Sequence, residues 1–154
     1  VTATGSGGTQ AGLIVGSQLF DLPTEVRAFN VSDSASYFDR KIREDVLLWK
    51  QRYEIEIDEN ALDIQTVEGY LSEAYGVASQ EIFDLIAELG RTEGLLLDPV
   101  YTGKAFYGML SELAKGEAGR LPAAKQVVFV HTGGLFGLFP QQQGFAFNEG
   151  YAGC

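Results

Sequence analysis

A glycine-rich segment near the start of the chain is the feature that most constrains the fold. Residues 5–12 have the sequence Gly-Ser-Gly-Gly-Thr-Gln-Ala-Gly, after the β-prone residues 1–4 and before apolar residues at helical spacing up to Phe20. This order predicts a strand, a tight loop and a helix. Because glycines let successive amides turn inward and a helix N-terminus carries partial positive charge, the loop is a candidate phosphate site.

Two common nucleotide-binding motifs do not match this loop. Gln10 stands where the third glycine of G-x-G-x-x-G belongs, and no Gly-Lys-Ser/Thr sequence follows. NAD and ATP are therefore disfavoured as ligands. On the residues alone, a phosphate site and a glycine turn that merely connects strand to helix both remain open.

The rest of the chain alternates between strand-like and helix-like patterns. The predicted strands are Val26–Val31, a short one around Ile55–Ile57 within a stretch that is otherwise loop from Tyr53 to Gly76, Leu95–Leu97 and Val127–Val130. The predicted helices run from the cap residues 32–34 through Trp49, from Ser79 to near Gly90, and from Gly103 to Lys115. This order predicts an α/β fold, a mostly parallel three-layer (αβα) sheet with helices on both faces. We expect one domain over 1–141 and an irregular tail over 142–154.

Charge and cysteine content exclude several classes of function. The formal net charge is −10 and the pI about 4.4, so the average field repels nucleic acids and anionic membranes. Cys154 and His131 are the only cysteine and histidine, which excludes an intrachain disulfide and a Cys/His zinc cluster. We therefore expect a cytoplasmic protein with no metal site and no nucleic-acid or membrane partner.

Two later loops offer polar groups where predicted strands end. In the segment 97–104, Tyr101, Thr102 and Lys104 provide an aromatic ring, a hydroxyl and an amine. The segment 131–134, His-Thr-Gly-Gly, provides a polar cluster beside two glycines. Each has a plain structural alternative: a capped proline turn in the first, and a histidine with satisfied hydrogen bonds at a sheet edge in the second.

Taken together, the three loops resemble one family over the chain up to about Gln141. They are similar to loops of the fold-type-II pyridoxal-phosphate enzymes that comprise D-cysteine desulfhydrase and 1-aminocyclopropane-1-carboxylate deaminase. The segment 75–77, Tyr-Gly-Val, resembles a second active-site tyrosine segment of that family. The resemblance implies pyridoxal 5′-phosphate as cofactor and a small amino acid as substrate.

The resemblance also implies roles for individual residues. The cofactor phosphate would be held by Gly5, Ser6, Gly7, Gly8 and Thr9. Tyr101 would lie against the pyridine ring, and Tyr75 would approach the amino-acid substrate.

Two threonines favour the desulfhydrase branch of the family. The deaminases tend to have glutamate after the active-site tyrosine and leucine after the histidine of the last loop, whereas this chain has Thr102 and Thr132. By hypothesis, Thr102 leaves the cofactor's ring nitrogen less protonated than glutamate would, which suits elimination. The implied reaction is β-elimination of D-cysteine to pyruvate, sulfide and ammonia; 1-aminocyclopropane-1-carboxylate deaminase is the alternative.

The lysine that binds the cofactor covalently lies upstream of the phosphate loop in this family. The chain begins four residues before that loop, and none of its lysines lies in a similar segment, so we expect a C-terminal fragment that is inactive alone. We expect it to associate with a missing N-terminal half or with itself. A noncatalytic ligand-binding domain and a truncated, inactive product are the alternatives of another class.

Overall fold

The fold is built on a small parallel sheet. The computed structural model describes residues 1–121 and 124–145. Its strands are β1 (Thr2–Thr4), β2 (Arg27–Asn30) and β3 (Gln65–Val67). They pair in the order β1-β2-β3, and both pairings are parallel. The predicted parallel sheet is therefore confirmed.

Helices connect and cover these strands. They are α1 (Gly8–Leu19), α2 (Ala35–Tyr53), α3 (Gln80–Thr92) and α4 (Thr102–Ala114), with short 3₁₀ helices at Glu59–Ala61, Gly116–Ala118 and Leu135–Gly144. The hydroxyl of Ser34 accepts a hydrogen bond from the Tyr37 N–H, which confirms the cap predicted for α2. In the described part of the chain, no helix is long and apolar enough to cross a membrane.

The sheet lies between two helical layers. On one face, Phe29 of β2 packs with Ala105 and Met109 of α4, and α3 packs beside α4. On the other face, α1 and α2 share a second core that contains Ile14 and Phe38. Phe29 and Phe38 have no exposed surface, and burying a side chain of this size contributes about 1.5–3 kcal/mol. The predicted three-layer arrangement is confirmed.

Three predicted strands are absent from the described residues. The third strand is 65–67 rather than 55–57, because Ile57 turns into the core beneath α2 while 65–67 pairs with β2. Leu95–Leu97 and Val127–Val130 are not strands. Residues 127–130 lie beside β1, but within the described part of the chain their backbone hydrogen bonds join them to Val1, through Val1 N to Val128 O (2.7 Å) and Val130 N to Val1 O (2.8 Å).

The C-terminal segment is described in part. Residues 142–144, at the start of the predicted irregular tail, complete the last 3₁₀ helix. Gln80 Nε2 donates to Gly144 O at 3.1 Å, and Phe145 packs on Phe83 with ring centroids 5.0 Å apart. The remainder of the predicted tail, 146–154, lies outside the described residues.

Candidate functional site

The carboxyl end of the parallel sheet opens into a cleft of about 600 Å³. Its lining residues are Ala3, Gly5, Ser6, Thr9, Ser32, Tyr75, Tyr101, Thr132, Gly133 and Gly134. None of these side chains carries a formal charge at neutral pH, although the chain has a net charge of −10. Any anion that binds here would therefore be held by backbone N–H groups, hydroxyls and the helix dipole.

The glycine loop forms one wall of the cleft and leads directly into α1. Gly7 occupies the N-cap position with φ of +86°, a left-handed conformation that favours glycine. Because glycine has no side chain, Gly7 does not cap the first N–H groups of α1. Since the first N–H groups of a helix have no intrahelical acceptor, α1 offers donors at the same wall as the Ser6 and Thr9 side chains.

Gly5 allows the loop to approach an aromatic ring. A Cβ atom at this position would lie 2.7 Å from Cε1 of Tyr101, closer than two carbon atoms can approach. The hydroxyl of Ser32, just beyond β2, donates to Gly5 O at 2.8 Å and fixes the loop from the other side. Ser32 lines the cleft and was not predicted as a site residue, although its position after a strand end next to β1 is a signal that could have identified it.

Two tyrosines meet across the cleft. The Tyr75 and Tyr101 hydroxyls hydrogen-bond to each other, and their rings are 5.9 Å apart between centroids in an edge-to-face arrangement. This bond, followed by burial and the negative charges nearby, raises the pKa of Tyr101 to about 12. Tyr101 is therefore an uncharged phenol at neutral pH, able to donate a hydrogen bond but not to act as a base.

Asp98 organises the turn that carries Tyr101. It is 1% exposed, and its carboxylate accepts hydrogen bonds from the N–H groups of Val100, Tyr101 and Thr102 at 2.8 Å each. The Thr102 hydroxyl donates to the same carboxylate at 2.7 Å and accepts from the Asp98 N–H at 2.9 Å. Thr102 is fully buried by these contacts and does not line the cleft.

The third loop closes the cleft opposite the glycine loop. Thr132 is exposed and lines the cleft. His131 anchors this loop through backbone contacts, because Nε2 lies 2.9 Å from Leu96 O and Nδ1 accepts from the Gly133 N–H at 3.0 Å. These contacts make Nε2 the protonated nitrogen, and they match the structural alternative for His131.

The structure thus brings together most residues that the sequence analysis singled out. Six of them line the cleft: Gly5, Ser6, Thr9, Tyr75, Tyr101 and Thr132. Gly7 and Gly8 belong to the loop and the first turn of α1 without lining the cleft, and Thr102 is held inside by Asp98. Their roles as cofactor ligands and catalytic groups remain predictions.

Fold and site together define a class of protein. It is an α/β protein in which an uncapped helix N-terminus and a glycine loop face two aromatic side chains at the carboxyl end of a parallel sheet. Such a site suits a flat ligand with a phosphate at one end, because the donors and the rings lie on different walls of one cleft.

The family follows from comparison with known proteins. Residues 1–133 match the model of the family described as pyridoxal-phosphate dependent enzymes. The chain belongs to this family, and the cofactor of the family, pyridoxal phosphate, is the one that the three loops imply.

The relatives are named as deaminases of 1-aminocyclopropane-1-carboxylate (ACC), and one of them also as a D-cysteine desulfhydrase. The chain is 36% identical over 93% of its length to a proposed 1-aminocyclopropane-1-carboxylate deaminase of Thermotoga maritima, and covers 43% of that protein. It is 34% identical over 90% of its length to the mitochondrial bifunctional D-cysteine desulfhydrase/1-aminocyclopropane-1-carboxylate deaminase of Arabidopsis thaliana, and covers 33% of it. A crystal structure of an ACC deaminase homologue matches with a TM-score of 0.75 and 32% identity, over 93% of this chain and 41% of that one. The chain spans about two fifths or less of the length of these relatives.

Proposed function

We propose that this chain forms the phosphate-binding and substrate-facing part of a pyridoxal-phosphate-dependent D-cysteine desulfhydrase. One observation carries the proposal: the uncapped N-terminus of α1 and the paired phenols of Tyr75 and Tyr101 face the same uncharged cleft. The first feature suits a phosphate and the second suits an aromatic ring and an amino-acid substrate. When bound, the cofactor acts as an electron sink for the carbanion formed at the substrate α-carbon.

In this proposal the glycine loop binds the cofactor phosphate without a charged side chain. Backbone N–H groups at the start of α1 and the hydroxyls of Ser6 and Thr9 donate to the phosphate oxygens. Gly5 keeps the loop close to Tyr101, and Ser32 holds the carbonyl of Gly5 away from the anion by donating to it. A cofactor whose phosphate is held by these donors would have Tyr101 within the same cleft to contact its ring.

The two phenols have different tasks. Tyr101 is only partly exposed and stays protonated, so its ring would pack against the cofactor ring and its hydroxyl would be a hydrogen-bond donor. Tyr75 is 55% exposed and therefore reaches the part of the cleft where an amino acid would enter. Their mutual hydrogen bond orients both hydroxyls before the substrate arrives.

Thr132 bears on the choice of substrate. It lines the cleft, whereas the hydroxyl of Thr102 is occupied by Asp98. Thr102 could meet the ring nitrogen only after leaving Asp98, so we assign the distinction between the two branches mainly to Thr132. By the resemblance, a hydroxyl here favours β-elimination of D-cysteine. 1-Aminocyclopropane-1-carboxylate deamination is the second candidate, because the names of the relatives include this activity.

The first test measures cofactor binding by the chain itself. The purified chain is titrated with pyridoxal phosphate, and its absorption is recorded before and after borohydride reduction. We expect binding that inorganic phosphate competes with and no reducible imine band, because no lysine is among the described residues that line the cleft. Pyridoxal without its phosphate is the matched control ligand and should bind much more weakly. Equal binding of both ligands would contradict the assignment of the glycine loop.

The second test measures the reaction in the complete protein that carries this chain. Sulfide and pyruvate from D-cysteine are compared with 2-oxobutyrate and ammonia from 1-aminocyclopropane-1-carboxylate. The desulfhydrase proposal requires the first reaction to dominate, and Thr132→Leu to reduce it relative to the second. A dominant deaminase reaction would favour the second candidate, and the absence of both with bound cofactor would favour the noncatalytic alternative.

Association is a further part of the proposal. The described residues include exposed apolar side chains such as Phe136, which is 82% exposed, and Val128, which is 72% exposed. Large uncovered apolar surface favours association. We therefore propose pairing with the remaining part of the enzyme, or with a second copy. A monodisperse monomer in sedimentation, in a sample of this chain alone, would contradict the self-association.

A further inference from the structure

Lys104, near the start of α4, is a fully buried lysine. Its Nζ donates to the main-chain carbonyls of Leu71 at 2.6 Å and Ala74 at 3.0 Å. Burying an ammonium group costs several kcal/mol of hydration unless charges and hydrogen bonds compensate. Both carbonyls belong to the short segment that leads to Tyr75, so the Lys104 amino group, which keeps N–H donors even when it is uncharged, acts directly on the backbone before that tyrosine.

The segment 71–76 has few other attachments among the described residues. It contains no helix or strand, and Ser72 and Gly76 have left-handed φ values of 66° and 80°. Apart from the two bonds to Lys104, the hydrogen bonds of its main chain to the described residues are Val77 N to Ala74 O at 3.2 Å and Gln141 Nε2 to Gly76 O at 3.2 Å. A segment held by so few bonds opens easily when one anchor is removed.

The same lysine is linked to the turn that carries the other tyrosine. Burial lowers the pKa of Lys104, and the charge of Asp98 opposes that effect by raising it. Asp98 in turn accepts the N–H of Tyr101 at 2.8 Å. Lys104 and Asp98 therefore hold, by separate hydrogen bonds, the backbone next to both phenols, from α4 on one side and from the preceding turn on the other.

We propose that Lys104 is a positioning residue that fixes the Tyr75 phenol against Tyr101, through its hydrogen bonds to the carbonyls of Leu71 and Ala74. The importance of this contact for the reaction rests on the proposed function. The positioning of Tyr75 does not rest on the proposed function, because both phenols can be observed without cofactor or substrate. Lys104 contacts neither cofactor nor substrate in this proposal, and acts through the backbone of 71–74.

The experiment measures the ionisation of Tyr101 in protein labelled with [ζ-¹³C]tyrosine, with the resonance assigned by Tyr101→Phe. The variants are Lys104→Met, Tyr75→Phe, the double variant, and the exposed-site control Lys125→Met. At pH 10.5, a phenol with a pKa of about 12 is only about 3% ionised, whereas one near the ordinary value of about 10 is about 75% ionised. Hydrogen exchange of the amides in 71–76 is measured on the same samples.

We expect Tyr75→Phe and Lys104→Met each to increase the ionised fraction of Tyr101 at pH 10.5. The double variant should show an ionised fraction little above that of either single variant, and Lys125→Met should match the parent. Exchange in 71–76 should rise in Lys104→Met but not in Tyr75→Phe. A merely structural lysine would lower stability and leave Tyr101 unchanged in the folded protein, which would overturn the proposal.

A second variant guards against loss of folding. Lys104→Gln keeps N–H donors without the charge, and is used in the same comparison if Lys104→Met does not fold. Failure of both to fold would also overturn the proposal, because it assigns to Lys104 the position of one segment rather than the stability of the whole chain. Failure of the proposed function would be seen in a different experiment, the titration of the parent chain, as equal binding of pyridoxal and pyridoxal phosphate.

Discussion

Replacing Asp98 tests how much of the site depends on one buried carboxylate. Asp98→Ala removes the acceptor of three N–H groups and the Thr102 hydroxyl. Each buried donor that is left without an acceptor costs about 1–3 kcal/mol. Since single domains are stable by only about 5–15 kcal/mol, a large part of the margin would be lost.

Asp98→Asn removes the negative charge and keeps the size of the side chain. Its amide keeps one oxygen for the N–H groups of Val100 and Tyr101, while its NH₂ faces Thr102, whose hydroxyl can rotate to accept. The Thr102 N–H then has no acceptor, and one buried unsatisfied donor costs about 1–3 kcal/mol.

The assay is urea denaturation followed by fluorescence of Trp49, the only tryptophan in the chain, which lies on α2 away from the substitution. Glu88→Ala, at an exposed position on α3, is the matched loss of one acidic side chain and should change the unfolding free energy by no more than about 0.5 kcal/mol. We expect the order Ala below Asn below parent. If Asp98→Ala cost less than about 1 kcal/mol, the assigned network of hydrogen bonds would be refuted.

Three other substitutions or conditions give distinct outcomes. Burial opposes ionisation of the Glu112 carboxylate, but its hydrogen bonds to Lys115, Tyr70 and the Arg120 N–H prevail and lower its pKa from 4.5 to about 2. The contribution of this carboxylate to stability is therefore complete above pH 4.5 and is lost as the pH falls towards 2. Denaturation midpoints measured over this range should depend less on pH in Glu112→Gln than in the parent. Gly5→Ala should weaken pyridoxal-phosphate binding in a titration, because the new Cβ meets a tyrosine ring, whereas Gly12→Ala, with open space around its Cβ, should leave binding unchanged. Thermal unfolding should show that Thr102→Glu lowers the melting temperature much more than Thr102→Ser, since the site is fully enclosed and already contains a carboxylate.

Local pattern alone was sufficient for the architecture around the glycine loop. The predicted order of strand, loop and helix is confirmed in β1, residues 5–7 and α1, and the cap of α2 is confirmed at Ser34. These features depend on contacts within a few residues, so spacing and side-chain type carry the information. The three loops also meet at one cleft, as expected, although the segments before the second and third loops are not strands.

The third strand shows where local pattern failed. Residues 65–67 are Gln-Thr-Val, with a single apolar member, whereas Ile55 and Ile57 have the alternation of a strand. Pairing with β2 decides the outcome, since β2 supplies hydrogen-bond partners to 65–67 and the core beneath α2 takes up Ile57.

Sequence by itself determined the class of this protein: a parallel α/β fold with a phosphate-type loop, two tyrosines and two threonines at positions typical of one family. Tertiary structure alone decided which groups are free to act. It leaves Thr132 in the cleft, ties the hydroxyl of Thr102 to Asp98, and buries Lys104 against the segment that carries Tyr75. Hydrogen-bond partners far apart in the chain make these choices, and no spacing along the sequence encodes them.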